Sequence, residues 1–306
     1  MERDQSLFAT LKRSVSEFSE DNMTDWAAAL TYYGLLSLFP ALIALVSIIG
    51  LFADPASTTE KLTDIVSNLG PDTAADTFSG PVESLTSNRG ASGVTFVLGL
   101  ALAIWSASGY IGAFSRASNV IYETREGRPF WKLRPIQLAV TLTMILILAL
   151  LAIGLVMTGP VVSAVAEPFG ISGTALDIWG IAKWPVMIGL VLLLFAVLYH
   201  SSPNAKLSGF KWITPGAVLA LAVWVVASAA FAFYVGNFGS YNETYGTLGG
   251  FVALLVWFWI SNLAILLGME LNSEIERNHQ FDEGIPDAEK QIQLEPRSEP
   301  KPRKTA

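Results

Sequence analysis

Six runs of mostly apolar residues, each about 20 or more long, constrain this chain more than any other feature: 27–52, 94–115, 136–159, 178–199, 212–236 and 246–270. A helix rises about 1.5 Å per residue, so roughly 20 apolar residues cross about 30 Å of hydrocarbon. In that medium the backbone must satisfy itself, which leaves helices as the fold for such runs. The expected class is all-α: a polytopic membrane protein with six transmembrane helices, amphipathic interfacial helices and a disordered cytoplasmic tail. A charged fraction of 15% over 306 residues agrees, since soluble domains carry about 25%. The fourth run is the least typical, with Lys183 and Pro185 near its start; a lysine there can reach the headgroups.

Orientation follows from the basic residues. With six spans, both ends share a side with the loops 116–135 and 200–211, and that side holds 16 of the 19 Lys and Arg. Lys61, Arg89 and Lys183 fall opposite. Both termini are therefore expected in the cytoplasm. The organisation reads as an amphipathic segment 1–26, a membrane domain 27–271 with a long outer loop 53–93, and a charged, proline-rich tail 272–306. The opening residues lack a signal-peptide pattern, so the first span is expected to stay as an uncleaved anchor. Leu7, Leu11, Val15 and Phe18, and again Leu62, Ile65, Val66 and Leu69, recur at helical spacing, as in helices that lie on a leaflet or pack against the bundle.

Polar residues inside hydrocarbon are costly and so mark function or packing. In "AAALTYYGLLSLFPALIALVSIIGLF", Tyr32, Tyr33 and Ser37 suit a bundle-facing surface, and Pro40 interrupts the hydrogen-bond ladder and permits a bend. Asp25 sits where it would favour the helix N-terminus. Ser108 lies among small residues that allow close helix contact. Arg116 and Asn119 follow on the same helix, Asn262 lies within the last run and Glu270 at its end. Asp25, Arg116, Asn119 and Glu270 should share one level, where Arg116 pairing with Asp25 or Glu270 would lock helix ends or form an anionic headgroup site. Asn237, Tyr241 and Tyr245 in the last outer loop offer hydrogen-bonding groups for a lid or a plain connection.

Catalytic signals are poor. There is no cysteine, and His200 and His279 are the two histidines, neither in an HExxH pattern. No P-loop and no GxSxG occur. Asp25, Glu123 and Glu270 have no metal-site spacing. The reading is of a protein that is not an enzyme, with no metal and no cofactor. Lys/Arg-rich runs beyond "KPRK" are absent, so no nucleic-acid partner is expected; membrane lipids are, envelope proteins are the second class of partner, and a homo-oligomer is left open.

Four blocks carry a family resemblance: "DWAAALTYYGLLSLFPAL", "WSASGYIGAFSRASNVIYE", "SSPNAKLSGFKWITPGAVLA" and "FYVGNFGSYNETYGTLGGFVALLVWFWISNLAILLGMELNSE". In that order, over about residues 7–277, the chain resembles the YihY/BrkB family of bacterial inner-membrane proteins. The resemblance implies a multi-pass protein of the bacterial inner (plasma) membrane. It brings an inherited "ribonuclease BN" label, which the lack of a histidine-rich metal motif argues against. Its other implications are envelope physiology, serum resistance and export of lipid or lipopolysaccharide. Two classes of function follow as expectations: a transporter or lipid-handling protein for an anionic amphipathic substrate such as a phospholipid or lipid-linked glycan, or a non-catalytic scaffold of an envelope complex.

Overall fold

The structure, a computed structural model, describes residues 5–52, 93–156, 173–207, 210–237, 247–288 and 290–300. Among these it is built of seven helices: α1 (Leu7–Glu20), α2 (Met23–Phe52), α3 (Gly93–Ile121), α4 (Phe130–Val156), α5 (Gly173–Ser201), α6 (Pro215–Asn237) and α7 (Thr247–Asp282). Five of them, α3 to α7, are long and apolar enough to cross a membrane, against six expected. The remaining expected span, 27–52, is helical within α2, but the side chains of Phe39 and of residues 42–52 lie outside those described and do not enter that count. The segment 62–69, Tyr241 and Tyr245 also lie outside the described residues.

The six long helices close a ring in chain order. α2 packs on α3, α3 on α4, α4 on α5, α5 on α6, α6 on α7, and α7 returns to α2. Because lipid is as apolar as leucine, such a ring is held by close packing and interhelical hydrogen bonds. The tightest contact is between α6 and α7. A Cβ on Gly216 would meet the Gly268 carbonyl oxygen at 1.9 Å, and one on Gly268 would meet that of Gly216 at 2.3 Å. Two glycines thus let these backbones touch. At one end of the bundle the starts of α2, α4 and α6 meet the ends of α3, α5 and α7, as the polar contacts below show; this is the charged end.

Two corners there are made by residues with positive φ. Asn22 (φ 54°) turns α1 into α2, and asparagine tolerates the left-handed region. α3 stops at Glu123 (φ 47°), where the Thr124 N–H donates to the Asn119 carbonyl at 2.8 Å, a six-residue closure that satisfies an orphan carbonyl.

α1 is amphipathic with its polar face inward. The Ser6 side chain accepts from the Ala9 N–H and caps it. Thr10 and Ser14 are buried, while Leu7, Phe8 and Val15 are exposed. An uncovered apolar face beside a membrane bundle suits a helix in the interfacial plane.

The tail departs from expectation. α7 runs on to Asp282, and the chain turns back through Gly284 (φ 72°), burying Ala288 and Ile292. It then pairs with the α5–α6 loop through an Ala205–Pro296 bridge, with the Lys206 N–H donating to the Glu295 carbonyl at 2.8 Å and the Arg297 N–H to the Asn204 carbonyl at 2.9 Å. Composition argued for disorder because so few apolar residues lie there. Backbone pairing and an arginine clamp hold residues 283–288 and 290–300 instead.

Candidate functional site

All six long helices contribute to a central cavity of about 320 Å³. Its wall is apolar and aromatic, with Gly34 of α2, Leu148 of α4, Phe195 of α5 and Trp257 of α7 among its lining. Tyr110 and Asn262 of its lining belong to a polar rung. The Tyr110 hydroxyl donates to Asn262 Oδ1 at 2.8 Å, and Asn262 Nδ2 donates to Thr31 Oγ1 at 3.2 Å. That rung ties α3, α7 and α2 together. A pair of indoles joins α6 and α7 beside it: Trp224 donates to Ser261 Oγ at 3.0 Å and Trp257 to Ser228 Oγ at 3.2 Å. Such a site suits an apolar chain fixed by a few polar groups.

Arg116 stands six residues beyond Tyr110 on α3, about 9 Å nearer the charged end at 1.5 Å per residue. It is exposed. Its guanidinium lies 5.3 Å from the centre of the Tyr33 ring and donates to the Gly112 carbonyl at 3.1 Å. Neither Asp25 nor Glu270 pairs with it among the described residues: Asp25 is exposed in the first turn of α2, and Glu270 is buried on α7. The expected ion pair is therefore corrected to a cation–π contact, because α3 buries Ala113 to Ser115 and Ala117 to Asn119 and turns Arg116 outward.

The other expected residues divide. Asn262 belongs to the cavity. Tyr32 is exposed and meets Tyr33 edge-on at 5.4 Å, Ser37 is buried, and Pro40 lies inside α2. Ser108 is buried and spends its hydroxyl on the Trp105 carbonyl of its own turn. Asn237 is exposed, and its amide returns to the Phe233 carbonyl. Asn119 and Glu270, expected together, fall into two separate polar clusters at the charged end.

The first cluster centres on Asn204, which is fully buried. Its N–H donates to Asn119 Oδ1 at 2.7 Å, its side-chain amide donates to the carbonyls of Arg125 and Ser298, and its Oδ1 accepts from the Ser298 N–H at 3.1 Å. Beside it, Glu126 and Arg128 form a two-pronged pair, Nη2 to Oε2 at 2.7 Å and Nε to Oε1 at 2.8 Å. Arg128 also donates to the Ser202 carbonyl at 2.8 Å, and Asn119 to Glu126 Oε2 at 3.0 Å. Burial pushes the Glu126 carboxyl up, but the Arg128 and Asn119 hydrogen bonds outweigh it and hold it below its ordinary value. From the tail, Arg297 donates to the carbonyls of Ala205 and His200.

The second cluster joins α1, α3 and α7. Arg277, itself buried, pairs with Glu123 at 2.7 Å, Glu274 at 2.9 Å and Glu17 at 3.4 Å. Arg13 reaches Glu274 at 3.0 Å and Asn278 at 3.1 Å. Burial, with Glu274, Glu20 and Glu123 against Arg277, raises the Glu17 carboxyl. Burial and the charges of Glu17 and Glu123 raise Asp21 to about 6.

Sequence reasoning passed over Tyr110, Thr31, Asn204 and Arg277. Asn204 and Tyr110 stand inside the blocks quoted for the resemblance, "SSPNAK" and "WSASGY", and a buried polar side chain at a helix end was the signal available. Arg277 looked like a tail charge because α7 was taken to end at 270.

Comparison with known proteins agrees with the fold. The family described as Virulence factor BrkB matches residues 14–293. Among relatives, a ribonuclease-like protein of Bacillus subtilis, YfkH, is 32% identical over 277 residues, 90% of this chain and 98% of the relative. A UPF0761 membrane protein of Alteromonas mediterranea is 29% identical and covers 85% of each chain. One of Haemophilus influenzae is 27% identical, over 85% of this chain and 92% of the relative. No solved structure matches. With its ring of apolar helices and a match across most of its length, the chain belongs to the virulence factor BrkB family of membrane proteins.

Proposed function

We propose that the protein binds an anionic, amphipathic envelope lipid in a bacterial inner membrane and moves it between leaflets, with both termini in the cytoplasm. The observation that carries this reading is the central cavity, walled by all six long helices, with Tyr110 and Asn262 of the Tyr110–Asn262–Thr31 rung in its lining. An apolar wall suits a hydrocarbon chain, and the rung suits the ester or glycosidic oxygens where such a chain meets its headgroup. Arg116, exposed beyond the rung, offers a guanidinium to a phosphate. The ribonuclease-like name of one relative is not carried over, because hydrocarbon walls favour an acyl chain and not a polynucleotide. The abundance of basic residues at the charged end supports the cytoplasmic assignment of the termini.

The test is transbilayer movement of labelled anionic phospholipid in liposomes holding purified protein. Leu194→Trp, which crowds the cavity wall, is expected to slow movement about tenfold, equivalent to about 1.4 kcal/mol of barrier. Arg116→Ala is expected to slow anionic lipid and spare zwitterionic lipid. Wild-type protein that moves no lipid from a panel of headgroups would sink the reading and favour an envelope scaffold, tested by partner capture.

A further inference from the structure

The cluster between α1 and α7 holds more acid than base. From α1 it receives Arg13 and Glu17, with Glu20 at the helix end; from the α1–α2 corner, Asp21; from the end of α3, Glu123; from α7, Glu270, Glu274, Arg277 and, one turn round, Glu276. Lys12, Asp25 and His279 nearby are exposed to solvent. The two guanidinium groups are spent on Glu17, Glu123 and Glu274. Glu270 is only 1% exposed, is within electrostatic reach of Asp21, Glu17 and Glu274, and its Oε1 has no hydrogen-bond partner among the described residues. A buried carboxylate with an oxygen left without a donor is costly in its charged form, and the group neutralises instead. A proton neutralises a lone buried carboxylate without any further ligating group.

We propose that Glu270 and its neighbours Asp21 and Glu17 form a proton-binding site, and that loss of the bound proton loosens α1 from α7. The geometry makes the link direct. α1 touches the bundle through polar groups of this cluster, Arg13, Thr10 and Glu17, and through Phe18 against the core, while Leu7, Phe8 and Val15 are free to follow the membrane surface. Protonated, the cluster carries fewer repelling charges and α1 docks. Deprotonated, Glu270 repels Glu17 and Asp21, both on the α1 side of the contact. The site goes beyond the lipid reading and does not depend on it, since its ligand and its readout are both at the α1–α7 contact.

The experiment uses the full chain in lipid nanodiscs. The sequence has no cysteine, so Ser19→Cys with His279→Cys places nitroxide labels on exposed positions of α1 and α7. Pulsed electron resonance then reads the distance between about pH 4.5 and about pH 10. A narrow distribution at acid pH that broadens through about 6 is expected. Glu270→Gln, a neutral isostere, should hold the narrow distribution at both extremes and remove a protonated-carboxyl band from the pH-difference infrared spectrum. Asp21→Asn, a second variant that does not touch α7, should reduce the broadening. A wild-type distance that ignores pH, or a folded Glu270→Gln that follows the wild-type titration, would overturn the proposal.

Discussion

The two polar clusters at the charged end are neighbours with opposite accounts of charge. Around Asn204 each carboxylate has its guanidinium: Glu126 faces Arg128 through two hydrogen bonds, and the backbone and side chain of Asn204 are fully engaged. Around Arg277, three carboxylates converge on one guanidinium while Glu270 Oε1 has no donor among the described residues. A matched network in a low-dielectric setting is rigid, because any departure strands a buried charge. An unmatched one responds to pH. The first cluster therefore fixes the tail and the α3–α4 and α5–α6 loops, and the second sets how firmly α1 is held.

Removing one partner should separate them most sharply. Arg128→Ala strips Glu126 of its guanidinium, leaving it the Asn119 amide and one backbone N–H, and takes the Arg128 donor from the Ser202 carbonyl; about 3–5 kcal/mol of stability should be lost, seen as a lower midpoint of thermal unfolding in detergent and nearly the same at pH 5 and pH 7.5. Arg277→Ala should also destabilise, but more at pH 7.5 than at pH 5, because protons can stand in for the lost cation. Equal pH dependence of the two variants would erase the distinction between the clusters.

A smaller effect is expected from the tail clamp alone. A Cβ on Gly127 would meet the Ser298 carbonyl oxygen at 2.0 Å, a backbone atom that cannot swing aside as a side chain would. Gly127→Ala should displace residues 295–298 at a cost of about 1–3 kcal/mol. Limited proteolysis should then cut near Arg297, which is protected in the parent, while the α1 contact keeps its pH response.

Asp21 supplies the titration of the second cluster. Its carboxyl is raised from 3.8 to about 6 by burial and by Glu17 and Glu123. The folded state thus binds this proton more tightly than the unfolded chain. The stability it contributes is fully present below about pH 4 and is lost as pH rises through about 6. Unfolding midpoints should fall across that window, and Asp21→Asn should flatten the slope.

How much of this was legible depends on what pattern each feature leaves. Apolar length alone located the long helices, and Asn262 declared itself as an amide in hydrocarbon. Its partner Tyr110 did not, since a tyrosine among small residues reads equally as an interface anchor. Arg116 was given the wrong partner for a related reason. A helix apolar on every side has no hydrophobic phase, so nothing in the spacing said that Arg116 points away from Glu270. The Gly216–Gly268 contact joins residues far apart in the chain, and each glycine alone is commonplace. The order of residues 290–300 left little mark in the composition, since it rests on backbone pairing, the Asn204 and Arg297 side chains and the burial of the single isoleucine Ile292.

The smallest expected effect lies away from both clusters, at the cavity rung. Tyr110→Phe removes the hydroxyl that donates to Asn262 Oδ1 and leaves the ring packed in place. Interhelical hydrogen bonds in membranes contribute about 0.6 kcal/mol on average, so the unfolding midpoint should barely move. Asn262 still holds Thr31 through its amide, which keeps α7 joined to α2. Lipid movement should change more than stability does, because the freed Asn262 oxygen is then an unpaired acceptor facing the cavity. A variant whose stability and transport fall together would place the rung among the structural ties of the bundle, beside the Asn204 cluster. A transport defect in an equally stable protein would place it in the lipid path.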